Sequence, residues 1–371
     1  NFHQAELLGL ALSFQKGEAF YFPLYSKNPA NYTKEEFFKI FTPLFEDEKI
    51  KKIGQNLKYD IQILLPYTSI KNIAFDTMIA AWLLEPDERK YNFDDLALKY
   101  LNYETLKYKD LVKENQTLKD LPLEDVKNYA CEDADITLQL YFLLNKLLEK
   151  NNLLTPFRQL EMPLVLILAL MEYNGIALSL DKIKELESWL EQEIAQLEKQ
   201  IYTLAQTTFN LNSPKQLSEV LFTTMQLPII KKTKTGLSTN EETLEALKEY
   251  PIIPPILSYR KYSKLLSTYA KSLQKYIFNN RVHSSFHQTG TATGRLSSSD
   301  PNLQNIPIRD EAGKQVRKAF VAPNNKVLVS ADYSQIELRI MAHFSEDPAM
   351  IQAFLDNQDI HRDFVLHKYE V

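Results

Sequence analysis

The chain has 371 residues, 44% of them hydrophobic and 25% charged, enough for two or three domains with real cores. Its net charge of −5 excludes a uniformly basic nucleic-acid coat, and its single cysteine, Cys131, excludes an internal disulfide framework and suits a reducing cytosol. No charged-then-apolar leader opens it and the longest apolar run, 162–171, is too short to cross a bilayer, so a soluble intracellular protein with a buried helix there is expected.

In chain order, residues 6–14 and 19–25 predict two strands joined by the turn Gln15-Lys16-Gly17-Glu18. Thr33-x-x-Glu36 is a capping box that opens an amphipathic helix through Phe45. Gly54-Gln55-Asn56-Leu57-Lys58-Tyr59-Asp60 reads as a strand-to-helix passage carrying one carboxylate, and Phe75-Asp76-Thr77 opens a further helix reaching Leu84. A long helix over 123–149 places Tyr129 and Asp133 four residues apart on one face, within touching distance. Such a pair is ordinarily a surface hydrogen bond. The polar stretch 149–156 breaks the periodicity, so a domain boundary is expected near residue 152.

An apolar helix over 160–177 should stop at Asn174-Gly175, and a charged helix follows over about 181–207. Ser213-Pro214 reads as a cap with proline at the first helical position. Lys231-Lys232-Thr233-Lys234-Thr235-Gly236 is expected to form a flexible basic tip, and Thr239-x-x-Glu242 to cap the next helix. Between 214 and 281 there are eleven Lys and Arg against five Glu, whereas 85–135 is rich in acids. That asymmetry is compatible with gripping a phosphate backbone in one place and metal ions in another, though charge runs are usually solvated faces.

From 288 to 309 the composition turns to neutral hydrogen-bonders: Gln288-Thr289-Gly290-Thr291-Ala292-Thr293-Gly294-Arg295, then Asp300-Pro301-Asn302-Leu303-Gln304-Asn305-Ile306-Pro307. The stretch reads as a long surface loop, yet loops of that length in compact domains are usually functional. Arg, Gln and Asn donors suit the minor-groove acceptors that every base pair presents. Next, the β-branched run before Asp332 predicts a strand, and a helix follows with Ile336, Ile340, Met341 and Phe344 on one face. Asp332 would then stand at a strand end, its oxygens open to a hard cation such as Mg²⁺. It could equally be a strand that happens to end in Asp, and Ser334-x-x-Glu337 fits a capping box that needs no substrate.

Asp332-Tyr333-Ser334-Gln335-Ile336-Glu337-Leu338-Arg339, read whole, closely resembles the first palm motif of family A DNA polymerases. Thr293-Gly294-Arg295 and the run from Asp300 to Pro307 match the same family, as does Asp359-Ile360-His361-Arg362. Upstream, the Gly54–Asp60 run and Tyr129-x-x-x-Asp133 resemble the second and third motifs of a DEDD-type 3′–5′ exonuclease. The resemblance implies a multidomain α/β and α+β fold. Residues 1–152 would be an RNase H-like exonuclease domain with a mixed sheet, and 153–371 a partial polymerase domain, with a helical thumb over about 181–280 and a partial antiparallel palm over about 281–371.

It implies DNA-directed DNA polymerase activity in replication and repair, by a cytoplasmic monomer at the bacterial nucleoid, acting on primer–template DNA and deoxynucleoside triphosphates without a membrane. Carried over residue by residue, Asp332 and the backbone carbonyl of Tyr333 would hold Mg²⁺. Glu337 would exclude a ribose 2′-hydroxyl, with Gln335 and His361 beside the nucleotide. Arg295, Asn302, Gln304, Asn305 and Arg309 would contact the primer–template, with Arg317 and Lys318 as weaker phosphate contacts. Asp60 and Asp133 would be exonuclease metal ligands, and Tyr129 would orient the attacking water. The family's Asp-x-Glu exonuclease motif, its triphosphate-gripping fingers helix and its His-Asp-Glu palm motif are not in the sequence. The chain therefore reads as cut at both ends, with both two-metal sites incomplete, and is expected to be inactive alone. The alternative is a non-catalytic fragment that binds primer–template DNA.

Overall fold

The computed structural model describes residues 2–24, 33–233, 236–307 and 311–358, so Arg309 and His361 lie outside the described residues. The chain is mixed α/β and mostly helical, in two compact units, Asn1–Val321 and Ala322–Val371.

In the first unit, β1 (Gly9–Gln15) and β2 (Glu18–Pro23) form an antiparallel hairpin whose turn is Gly17, at φ +82°. Only glycine adopts that value without a steric penalty. Its N–H donates to Asp135 Oδ1 at 2.7 Å, which ties the hairpin tip to a helix far along the chain. α1 (Lys34–Glu46) starts on the expected box: Thr33 accepts from the Glu36 N–H and Glu36 reaches back to Thr33. Phe37, Phe41 and Phe45 recur at helical spacing and pack with Leu64 and Phe22 beneath the hairpin.

β3 (Lys52–Gly54) pairs in parallel with β4 (Ile73–Asp76), and among the described residues no ladder joins that pair to the hairpin. α2 (Leu57–Leu64) follows β3, and α3 (Thr77–Leu84) follows β4. α4 (Phe93–Leu101), the short α5 (Tyr108–Leu111) and the long α6 (Leu123–Lys150) come next. Ile61, Phe75, Ile79, Leu140, Leu144 and Phe157 build the core that holds these elements together.

After α6 a short α7 (Leu154–Pro156) runs through a π-wound turn into α8 (Met162–Asn174). The helical run reaches back to Leu154, so by length and composition alone it could cross a membrane, contrary to the expectation from the apolar run. Its Val165, Leu168 and Ala169 are nevertheless packed in the core, and its Glu172 is ion-paired with Lys58 at 2.6 Å. Gly175 stops α8 at φ +58°, where a β-carbon would lie 2.6 Å from the Val282 carbonyl oxygen.

β5 (Ile176–Ala177) leads into α9 (Leu180–Ala205), which crosses two cores. Ile201 and Ala205 pack with α10 (Pro214–Ser218) and α12 (Ile253–Leu265), while Ile183, Leu186 and Leu190 pack with Leu265, Tyr269 and α13 (Glu311–Lys318). Ser213 caps α10 as expected. The basic tip is a small ladder, β6 (Lys232–Thr233) against β7 (Gly236–Leu237). α11 (Glu241–Glu245) is capped by Asn240, which accepts from the Thr243 N–H, rather than by Thr239, whose hydroxyl accepts from Arg260 at 3.2 Å. β8 (Ile277–Phe278) and β9 (Arg281–Val282) complete a three-stranded sheet with β5, and β10 (Ser285–His287) pairs with β11 (Ser297–Ser299).

The second unit corrects two expectations. Residues 326–335 form no strand: Val327 and Val329 are 81% and 85% exposed, and no ladder partner for them exists among the described residues. A β-branched run adopts a stable strand only when a neighbour supplies hydrogen bonds and a face to bury. Asp332 therefore sits on irregular, exposed chain. α14 (Ile336–Ser345) then begins at Gln335, in a left-handed conformation without a side-chain cap, so the Ser334–Glu337 box does not form. Ile336, Ile340, Met341 and Phe344 are all exposed, and Ala342 is the one buried residue among those described in this unit. α15 (Pro348–Leu355) packs back through the Arg339 guanidinium, 4.5 Å from the Phe354 ring centre.

Candidate functional site

Two groups of the expected site residues lie in the first unit. The first is carboxylic. α2 begins where the Asn56 and Leu57 N–H groups donate to Asp76, at 3.1 and 2.7 Å. The same carboxylate accepts from the Met78 and Ile79 N–H groups at the start of α3, at 2.9 and 3.4 Å. One buried Asp thus serves two helix N-termini, whose unpaired donors and partial positive charge favour an anion there. Burial raises the Asp76 carboxyl, and those four N–H donors pull it back.

Asp60, one turn into α2, is exposed to solvent on one side and backed by the body of the unit on the other. The surrounding protein and then the Asp76 carboxylate push it up to about 7, a rise that solvent contact tempers. On α6, Asp133 is likewise raised to about 7, chiefly by burial and further by Glu132 and Asp94, although the Tyr129 hydroxyl hydrogen-bonds it and lowers it. Burial and Asp133 push the Tyr129 phenol well above its ordinary value, so it stays a neutral donor.

Asp133 Oδ1 is buried with no hydrogen-bond partner. An orphaned buried carboxylate oxygen is costly unless a cation or water meets it. In kind, then, the donors suit a hard cation that binds oxygen. In number they fall short, because no group of three His, Cys, Asp or Glu that could hold a metal occurs among the described residues. Asp76 is the site residue that motif reading missed. Its signal was present, an Asp standing directly before a helix.

The second group is polar. Arg295, Asn302, Gln304 and Asn305 are all exposed. Asn302 Oδ1 accepts from the Gln304 N–H at 3.0 Å, and Gln304 Nε2 reaches the carbonyl of Leu296, next to Arg295, at 2.9 Å. Their base is buried: the Ser284 hydroxyl contacts Ser298 Oγ at 2.9 Å and the Pro301 carbonyl at 2.7 Å, and the Tyr269 hydroxyl donates to the Asn305 carbonyl. The segment is therefore a fastened scaffold with amide and guanidinium donors on its outer side, which is more order than a surface loop requires. Asp332, Tyr333, Gln335 and Glu337 belong to the second unit, where Arg339 Nε donates to the Ser334 carbonyl at 3.0 Å.

Residues 180–370 match the family model described as DNA polymerase family A, and residues 3–149 match one described as 3′–5′ exonuclease. The chain belongs to DNA polymerase family A. It is similar to DNA polymerase I of Pseudomonas aeruginosa, 41% identical over 374 residues, covering 97% of this chain and 41% of that protein. DNA polymerase I of Bacillus subtilis is 37% identical over 379 residues, covering 100% of this chain and 42% of that one. Among solved structures, the POL domain of Pol1 from M. smegmatis in complex with DNA primer-template and dNTP superposes with a TM-score of 0.81 at 33% identity. That match covers 93% of this chain and 57% of the other. The chain thus spans about two fifths of the curated relatives' length.

Proposed function

We propose that this chain is the part of a DNA polymerase that holds primer–template DNA for template-directed synthesis in replication and repair, joined to a 3′–5′ exonuclease-like portion. Residues 1–152 would be that RNase H-like portion, 153–371 a partial polymerase domain, with the thumb over about 181–280 and the palm over about 281–371. The observation that carries the proposal is the outward row of Arg295, Asn302, Gln304 and Asn305 on a buried serine base. Such donors meet the minor-groove acceptors shared by all base pairs, so they test duplex geometry without reading sequence. Arg309, Arg317 and Lys318 would add phosphate contacts.

Mg²⁺ would be held by Asp332 and the Tyr333 carbonyl in one place and by Asp60 and Asp133 in another. The chemistry such an ion would supply is activation of an attacking oxygen and stabilisation of the leaving one. The chain's own contribution at Asp133 is orientation: the neutral Tyr129 hydroxyl, whose one proton is given to Asp133, would align a water there by accepting from it. Glu337 would crowd a ribose 2′-hydroxyl, with Gln335 and His361 near the same nucleotide. A monomer working in the cytoplasm at the nucleoid fits this role.

Fluorescence anisotropy on a primer–template duplex tests the proposal. Binding should be insensitive to sequence and fall steeply with salt, and Arg295→Ala should weaken it by about 1–2 kcal/mol. No binding at low salt would sink it. A second reading, a non-catalytic DNA-binding fragment, is favoured by the exposed, strandless setting of Asp332. Primer extension separates the two: strong extension by the chain, lost in Asp332→Ala, would discard the second reading.

A further inference from the structure

Glu172 is the single acid inside the apolar helix α8 and is 3% exposed. Its Oε1 accepts from Lys58 Nζ and from the Phe286 N–H, each at 2.6 Å, and its Oε2 accepts from Gln62 Nε2 at 2.5 Å. Lys58 Nζ also donates to the Phe286 carbonyl. Phe286 is the central residue of β10 and lies opposite Ser298 of β11. In an antiparallel pair alternate residues turn both backbone polar groups away from the partner strand. For Phe286 those two groups are met by Glu172 and Lys58. The ion pair occupies the outer edge of β10 as a third strand would.

Two more contacts fasten the next residues. Buried Gln288 donates from Nε2 to the Glu161 carbonyl at 3.0 Å and to Glu161 Oε2 at 2.9 Å. The buried Trp82 indole N–H donates to the Thr291 carbonyl at 2.9 Å. Positions 286, 288 and 291 are thus held from α2, α3, α8 and the approach to α8, whereas Arg295, Asn302, Gln304 and Asn305 beyond them face solvent.

We propose that Glu172, Lys58 and Trp82 are positioning residues for the DNA-facing segment. Located in or beside the exonuclease-like portion, they order residues 286–305 before duplex arrives. The inference rests on the functional reading that this segment contacts DNA. A segment already ordered need not lose its conformational freedom on binding, so the struts raise affinity without touching DNA.

The test compares wild type with Trp82→Phe, which removes the indole donor together with part of the ring, and Glu172→Gln, which keeps the shape and one accepting oxygen but removes the charge. Two quantities are measured on the full chain: amide hydrogen exchange, and primer–template affinity across salt concentrations. Exchange over 286–305 should speed up at least tenfold in both variants, with α9 and α12 unchanged. The duplex Kd should rise three- to tenfold at an unchanged salt slope, because no phosphate contact is lost. Unchanged exchange over 286–305, exchange that rises throughout the chain, or faster exchange with unaltered affinity would each overturn the proposal. If wild type itself binds no duplex, the functional reading fails, and the exchange pattern alone decides whether the struts order the segment.

Discussion

Asp60 and Asp332 stand in the same predicted pattern, a strand-to-helix passage carrying one carboxylate, yet their surroundings differ. The helix bearing Asp60 has its N-terminus held by Asp76, and its Lys58 and Gln62 are bound to the buried Glu172. The run before Asp332 pairs with nothing among the described residues, and the helix after it leaves Phe344 81% exposed. A carboxylate's sequence neighbours decide where a helix can start. Its charge, orientation and partners come from residues tens of positions away.

The sharpest way to break that contrast is to remove an acid from each region. Asp76→Ala strands four backbone donors at two helix starts and should destabilise the first unit by about 3–4 kcal/mol in urea unfolding. Asp332→Ala should stay within about 0.5 kcal/mol, as for an exposed surface site. Equal losses would show that 326–335 is structured in solution.

Titration gives the next largest effect. In the fold Asp133 is raised to about 7 from an ordinary value of 3.8. Between those pH values the folded form keeps a proton that the unfolded form has released. Its share of stability is therefore lost as pH rises through that window. Asp133→Asn should remove this slope and gain on the order of 1–2 kcal/mol over wild type at pH 8 relative to pH 4. Parallel stability curves for the two proteins would contradict the raised carboxyl. A cation meeting Asp133 Oδ1 would displace the same proton, so Mn²⁺ affinity measured by calorimetry should weaken as pH falls below about 7.

The smallest effect separates two helix starts that share a sequence signature. Thr33→Ala breaks a formed capping box and should cost about 1 kcal/mol. Ser334→Ala should change nothing measurable, since α14 starts at Gln335 without a side-chain cap. A matching loss at Ser334 would place a cap there after all.

Much of this architecture was legible from local chemistry. The hairpin with its Gly17 turn, the Thr33–Glu36 box, the Ser213-Pro214 start and the Gly175 stop each depend on a few adjacent residues with strong backbone preferences. The Tyr129–Asp133 contact followed from helical spacing. The misread elements share another cause. The strand before Asp332 needed a partner strand, and Thr239, one residue ahead of the true cap Asn240, bonds a distant arginine instead. Gln288 fell in a run that looked like surface loop but is buried against Glu161.

From its order of residues alone, the chain determined several of its helix starts and stops, the motifs that mark its family and the donor types along its loops, because each is set by neighbours or by side-chain identity. Tertiary structure alone decided that Asp76 serves two helices, that Asp133 carries an unmet oxygen, and that Lys58 and Glu172 complete the edge of β10. Hydrogen bonds and desolvation between residues from about twenty to more than a hundred positions apart leave no periodic trace for a local pattern to carry.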